Sequence, residues 1–201
     1  MIDNLLILDT ETTGLDVKKG SRLIEIAVVL FNIKHKTVLQ AFSTLLPCEE
    51  NPVERINHIS AESTQCDYAF RNKSRVEITK EMWENPAEHK TIIYEKYDDF
   101  GFGDIILAMN SRAQAVVAHN ADFDRRFIAT QPWAEPLMGS KWICTKENFS
   151  WPQKLLRFRL EDVCNAMGVP YINAHRAMAD CMFIAQCFAK VEDLQDRIDR
   201  C

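Results

Sequence analysis

Leu5 to Leu15 reads Leu-Leu-Ile-Leu-Asp-Thr-Glu-Thr-Thr-Gly-Leu, an apolar run that ends in two acids one residue apart and then in a turn. On a β-strand residues i and i+2 point to the same face, so Asp9 and Glu11 stand side by side at the strand's end. Two carboxylates that close repel strongly unless a divalent cation lies between them, and the pair reads as a pincer for a hard ion. An Asp-x-Glu after an apolar run is common by chance, so partners further along the chain have to carry the reading.

Around this strand the composition is that of a globular protein. The 201 residues are 47% apolar and 26% charged, which predicts one domain over 1–201 with a sizeable core and no need of a second. A net charge of −5 does not advertise nucleic acid, so local cations or metals have to hold any polyanion. Seven cysteines without a Cys-x-x-Cys pair suit buried thiols in a reducing compartment. Asp3 stands where a leader would be basic, and no apolar run approaches the ~20 residues of a membrane span. The expectation is a cytoplasmic protein that meets no membrane.

Leu23 to Phe31 is nearly continuous in apolar residues and predicts a buried second strand. Asn32 to Lys36 then predicts a hairpin turn and Thr37 to Leu46 a third strand ended by Pro47, completing an antiparallel meander. Glu25, inside the second strand, either pairs with Arg22 or a backbone donor or lies close to the site. Ser60 is placed to cap a short helix over Ala61 to Gln65. The segment at about 66–94, with Trp83 and Pro86, has no clean period and predicts a long excursion. From Ile92 to Met109 apolar residues return, and Gly101 and Gly103 predict a broken helix packing on the sheet.

Ala115 to His119 predicts a fourth strand, with a helix opening directly after it under an Asn120 cap and with Phe123 and Phe127 on its core side. Asp122 and Asp124 are ~200° apart on that helix, so only one of them aims at a site above the sheet. Lys141 to Cys144 predicts a short fifth strand, and Arg159 to Met167 a helix stopped by Gly168 and Pro170. A last helix runs from about Arg176 into the 190s, with Ala177, Cys181, Ile184 and Phe188 on its buried face. His175 would lie ~140° from Asp180 on one continuous helix, so the two converge only if His175 belongs to the loop. Neither G-x-x-x-x-G-K nor G-x-G-x-x-G occurs, which excludes phosphate cradling by a glycine loop.

Three stretches, Leu8-Asp9-Thr10-Glu11-Thr12-Thr13-Gly14, His119-Asn120-Ala121-Asp122-Phe123-Asp124 and His175-Arg176-Ala177-Met178-Ala179-Asp180, resemble in order and spacing the motifs of the DnaQ-like exonucleases, in their DEDDh branch. The resemblance spans most of the chain. It implies an α/β, ribonuclease H-like fold, with a mixed five-stranded sheet, its first three strands antiparallel, flanked by helices. It also implies Asp9, Glu11, Asp124 and Asp180 as catalytic metal ligands and His175 as general base. In that family the ligand directly follows the phenylalanine of the second motif, which selects Asp124 over Asp122. Arg176 stands where the sister branch has tyrosine, so the tyrosine type is excluded. Thr12, Leu15, His58 and Asn120 match positions near the terminal nucleotide.

The activity so implied is a 3′ to 5′ exonuclease that releases nucleoside 5′-monophosphates from single-stranded ends, DNA favoured over RNA. Its cofactor is Mg²⁺, as two ions ~4 Å apart that clamp the scissile phosphate, with Mn²⁺ able to substitute. An imidazole that titrates near neutrality suits the water's proton. Alternatives are an exoribonuclease on short RNA and a non-catalytic binding module accessory to a polymerase. A polymerase or another nucleic-acid-processing protein is the expected partner. Arg125, Arg126, Lys146, Lys154, Arg157 and Arg159 read as scattered solvated charges that can follow a backbone, and Trp142 and Trp151 as packing residues. Two departures stand out: a long gap between His58 and His119, and Cys144 where many relatives have aspartate.

Overall fold

β1 (Asn4–Thr12) lies in the middle of a five-stranded sheet of order β3-β2-β1-β4-β5. The computed structural model describes residues 3–65, 100–172 and 175–201. β2 (Leu23–Asn32) and β3 (Thr37–Leu45) extend β1 as an antiparallel meander. On the other side β4 (Ala115–Ala118) and β5 (Trp142–Cys144) run parallel to it. This is the mixed sheet that the sequence predicts, with each strand within a residue or two of its expected ends. The excursion expected at about 66–94 lies outside the described residues.

Alternation along β1 divides the core in two. Leu5 and Ile7 pack, with Ala27 and Val29 of β2, under α5 (Leu160–Ala166), α6 (Ala177–Ala189) and α7 (Leu194–Asp199). Leu6 and Leu8 pack on the opposite face with Ile106 of α2 (Phe100–Asn110), Phe127 and Ile128 of α3 (Ala121–Ile128) and Leu137 of α4 (Glu135–Met138). α1 (Glu54–Asn57) lies at the end of β1, and helical residues 61–65, begun by Ser60, whose hydroxyl accepts from the Ser63 amide at 3.1 Å, pack beside Cys48, whose amide donates to Thr64 Oγ1.

Four local expectations are corrected. Within the described residues helix α2 runs unbroken from Phe100 through Gly101 and Gly103 to Asn110, and the expected stretch before it, 92–99, lies outside them. Gly103 is there for close approach, since a Cβ at that position would stand 2.6 Å from Cγ of Trp133. The last helix stops at Ala189 and a separate short helix follows, with Lys190 Nζ, at the break, donating to the Gly168 carbonyl just past the end of α5. Asn120 precedes α3 without capping it: its backbone is left-handed (φ 81°), no side-chain cap bond forms, and the Ala121 amide donates instead to Cys144 Sγ at 3.4 Å. Glu25 does meet a backbone donor, the Ala177 N–H at 3.0 Å, but the cation it pairs with is Arg176 and not Arg22, which is exposed at the β1–β2 turn, where its amide donates to Thr13 Oγ1.

Candidate metal centre

Asp9 and Glu11 continue the Leu5 and Ile7 face of β1, which is the face that α6 covers. Asp180 comes down onto it from the first turn of α6. One carboxylate oxygen from each of Asp9, Glu11 and Asp180 lies within 4.8 Å of the other two. Asp180 accepts a hydrogen bond from the backbone N–H of His175. Its Oδ1, by contrast, is buried and has no hydrogen-bond partner among the described residues. A buried, unpaired carboxylate oxygen aimed among other acids is what a divalent cation satisfies, and an all-oxygen donor set suits a hard ion.

Asp124 arrives from the other side of the sheet, one turn into α3, and is 2% exposed. Thr10, on the Leu6 and Leu8 face, donates from Oγ1 to Asp124 Oδ1 at 2.7 Å. Asp122, two residues earlier on the helix, is exposed. Asp124 is therefore not among the three carboxylates that meet within 4.8 Å, although its charge is the first of those that act on Asp9.

Crowding shows in the acidities. Burial, and then the charges of Asp124, Asp180, Glu11 and Glu25, push Asp9 well above the ordinary carboxylate range. Burial, with Asp180 and Glu25, pushes Glu11 up to about 8 against the pull of Arg176. Asp124 is pushed up to about 7 by burial, against the Thr10 hydrogen bond. Burial likewise raises Asp180 to about 6, against the His175 N–H. Near neutrality the cluster holds protons that a cation would displace, so the residues present fit a divalent metal.

The remaining expected positions surround this centre unevenly. His175 sits in the turn before α6 with a left-handed backbone (φ 63°), exposed and outside the three-carboxylate group. Thr12 is buried and its hydroxyl donates to the Gly14 carbonyl at 2.6 Å. Leu15 is 80% exposed. His58 is exposed at a left-handed helix end. Asn120 is half-buried at the mouth of α3.

Sequence reading passed over three supports. Thr10 lay inside the first motif, and the period of two already assigns it to the face opposite Asp9. Asn57 is buried, and its Nδ2 donates to the Thr12 carbonyl at 3.3 Å, tying the His58 turn to the end of β1. His119 bridges the ends of β4 and β5: its Nε2 donates to the Phe158 carbonyl at 2.9 Å, which leaves Nδ1 to accept from Thr145 Oγ1 at 2.9 Å. Burial lowers its pKa to about 4 and keeps it neutral.

A model of the exonuclease family, RNase T type, matches residues 6–188. Over 198 residues the chain is 30% identical to the PolC-type DNA polymerase III of Thermotoga maritima, an alignment that covers 96% of this chain and 12% of that protein. The chain thus spans about an eighth of the length of that relative. Among solved structures, Exonuclease X in complex with 5′ overhanging duplex DNA is similar with a TM-score of 0.56 and 21% identity, over 96% of this chain and 91% of that one. The nuclease domain of 3′hExo, a DEDDh family member bound to rAMP, is similar with a TM-score of 0.64 and 17% identity, over 97% and 93%. These two are likenesses of fold. Because the family match runs from β1 into α6 and takes in all three acidic motifs, the chain belongs to the DnaQ-like exonuclease family.

Proposed function

We propose that the chain is a Mg²⁺-dependent 3′ to 5′ exonuclease that hydrolyses single-stranded ends and releases nucleoside 5′-monophosphates. The observation that carries this reading is the meeting of Asp9, Glu11 and Asp180 within 4.8 Å, with a buried Asp180 oxygen that has no hydrogen-bond partner among the described residues. In this reading Asp9, Glu11, Asp124 and Asp180 hold two divalent ions, Mg²⁺ or Mn²⁺. Such ions, when bound, neutralise the carboxylates and polarise the scissile phosphate, so that an acidic protein can accept a polyanion. His175, in its exposed turn, takes the proton of the attacking water. Thr12, Leu15, His58 and Asn120 seat the terminal nucleotide.

DNA is the favoured substrate, because a relative 30% identical to this chain is a DNA polymerase. The same relation supports a polymerase as the partner and the chain as one domain of exonuclease function. Cleavage of 5′-labelled DNA and RNA strands, with and without Mg²⁺, tests the reading. Stepwise shortening from the 3′ end only with metal is the expected result, and retention of intact strands in both conditions would leave a binding module. Faster loss of the RNA strand would transfer the assignment to an exoribonuclease.

A further inference from the structure

A fifth acid belongs to the centre without being a ligand in it. Glu25 of β2 is the register partner of Glu11 on β1, so the two side chains stand next to each other on the face that α6 covers. Glu25 is buried, yet both its oxygens are already engaged. Its Oε1 accepts from Arg176 Nη2 at 2.8 Å, and its Oε2 accepts from Arg176 Nε at 3.1 Å and from the Ala177 backbone N–H at 3.0 Å.

These bonds fall on one point of the fold. Arg176 is the residue at which α6 begins and has no side-chain cap bond of its own. The first free amide of the helix, that of Ala177, is satisfied by Glu25 from 152 positions away. Arg176 is held by the same carboxylate in a two-pronged pair, a geometry that fixes orientation as well as distance. His175 directly precedes this anchor and Asp180 lies one turn after it, hydrogen-bonded back to the His175 N–H. The strand that carries Glu11 is in turn paired with the strand that carries Glu25. The start of α6 is thus referenced to the metal-facing strand through one carboxylate.

We propose that Glu25 is a positioning residue for the reaction: with Arg176 it clamps the first turn of α6 to β2 and so sets where the His175 imidazole stands relative to Asp9 and Glu11. The proposal rests on the reading of His175 as general base. It makes Glu25 an acid whose value lies in being unavailable to metal, because its oxygens are spent on the helix start.

The test is kinetic and uses the whole chain. Glu25→Gln keeps the size of the side chain and an acceptor for the Ala177 amide but turns an NH₂ or a neutral oxygen toward the guanidinium. The half-exposed Arg176 is left able to hydrate, and the fold is retained. Misplacement of a reacting group by about 1 Å costs ~10²-fold, so kcat on a short single-stranded DNA should drop by roughly one to two orders of magnitude. KM and the affinity and stoichiometry of Mn²⁺, measured by calorimetry, should stay close to the unaltered protein. Arg176→Gln should give the same loss, and the double variant no more than either, because the two act as one unit. A Glu25→Gln protein with full kcat beside an inactive His175→Ala would overturn the clamp alone. A fall in active fraction that parallels a fall in Mn²⁺ stoichiometry would make Glu25 structural and overturn it as well. An active His175→Ala would remove the base reading on which the clamp depends.

Discussion

Thr10 Oγ1 donates to Asp124 Oδ1 at 2.7 Å, joining the central strand to α3 across 114 positions of sequence. The bond turns toward the sheet's end a carboxylate that enters from the face opposite Asp9 and Glu11. Thr10→Val keeps the shape of the side chain and leaves a buried carboxyl oxygen without its donor, which should lower stability by about 1–3 kcal/mol. Cleavage should weaken with it, and Thr10→Ser should recover most of both. Denaturant unfolding and a strand-shortening assay read the two effects, and a fully active valine variant would detach Asp124 from this tether.

The same helix offers a second test. Asp124 is buried and bonded to Thr10 while Asp122 faces solvent, its backbone carbonyl accepting from Arg126 Nε. Asp124→Ala should abolish cleavage, whereas Asp122→Ala should leave the rate within about 0.5 kcal/mol of the unaltered protein, as for an ordinary surface change. The reverse pattern would move the ligand to Asp122.

Acid crowding sets a pH dependence of stability whose direction follows from proton counts. An acid whose folded pKa lies above its unfolded value, about 4, holds more protons in the folded state. Its contribution is complete below the unfolded value and lost as pH rises through the folded one. For Asp180, Asp124 and Glu11 those folded values are about 6, about 7 and about 8. His119, lowered to about 4, works the other way: stability is lost as pH falls from about 6.5, where the unfolded imidazole takes up its proton. Below about pH 6 the one imidazole offsets only one of these three acids, so in chelator the melting temperature should decline as pH rises from about 5 to 8. Saturating Mg²⁺ should reverse the decline, and Asp9→Asn should flatten it while abolishing cleavage. Melting temperatures that climb steadily from pH 6 to 8 in chelator would contradict this account of the acids.

His175 stands in an exposed turn with φ 63°, a left-handed backbone that few residues other than glycine adopt and that asparagine, aspartate and histidine enter more often than the rest. His175→Ala should reduce kcat by ~10²–10⁴-fold with little change in Mn²⁺ affinity, as removal of a general base does. His175→Asn should fold at least as well, since asparagine accepts the left-handed region more readily, and should be no more active. A histidine variant that fails to bind Mn²⁺ would make the imidazole a ligand.

The strands were legible because their apolar residues are contiguous and the turns between them short, and the pairing of Asp9 with Glu11 follows from alternation alone. Asp124 was different. Helical angles left Asp122 and Asp124 as alternatives, and what separates them in the structure is a hydroxyl on another element, Thr10. The same holds for Glu25, whose partner Arg176 is 151 positions away, and for Gly103, which reads as a helix breaker but is small because Trp133 lies against it. Asn120 has the composition of a cap but a left-handed backbone, a property set by the β4-to-α3 turn rather than by the residue. Local chemistry therefore announces elements and the acids at their ends, while the ties that aim those acids are made between distant segments.

The two-sided burial of β1 constrains how this chain can change over evolutionary time. Leu5 and Ile7 are enclosed on one face and Leu6 and Leu8 on the other, with Asp9 and Glu11 next in the alternation. Substitution at any of these positions leaves the others where they are. A single inserted or deleted residue between Leu8 and Asp9 would instead rotate the acids to the face of Thr10, away from Asp180, with the hydrophobic part of the strand undisturbed. A lineage that keeps this fold but gains one codon there would keep a well-packed protein and lose the centre, so strand length in β1, more than residue identity in its core, is the heritable quantity that separates an active descendant from a folded but silent one.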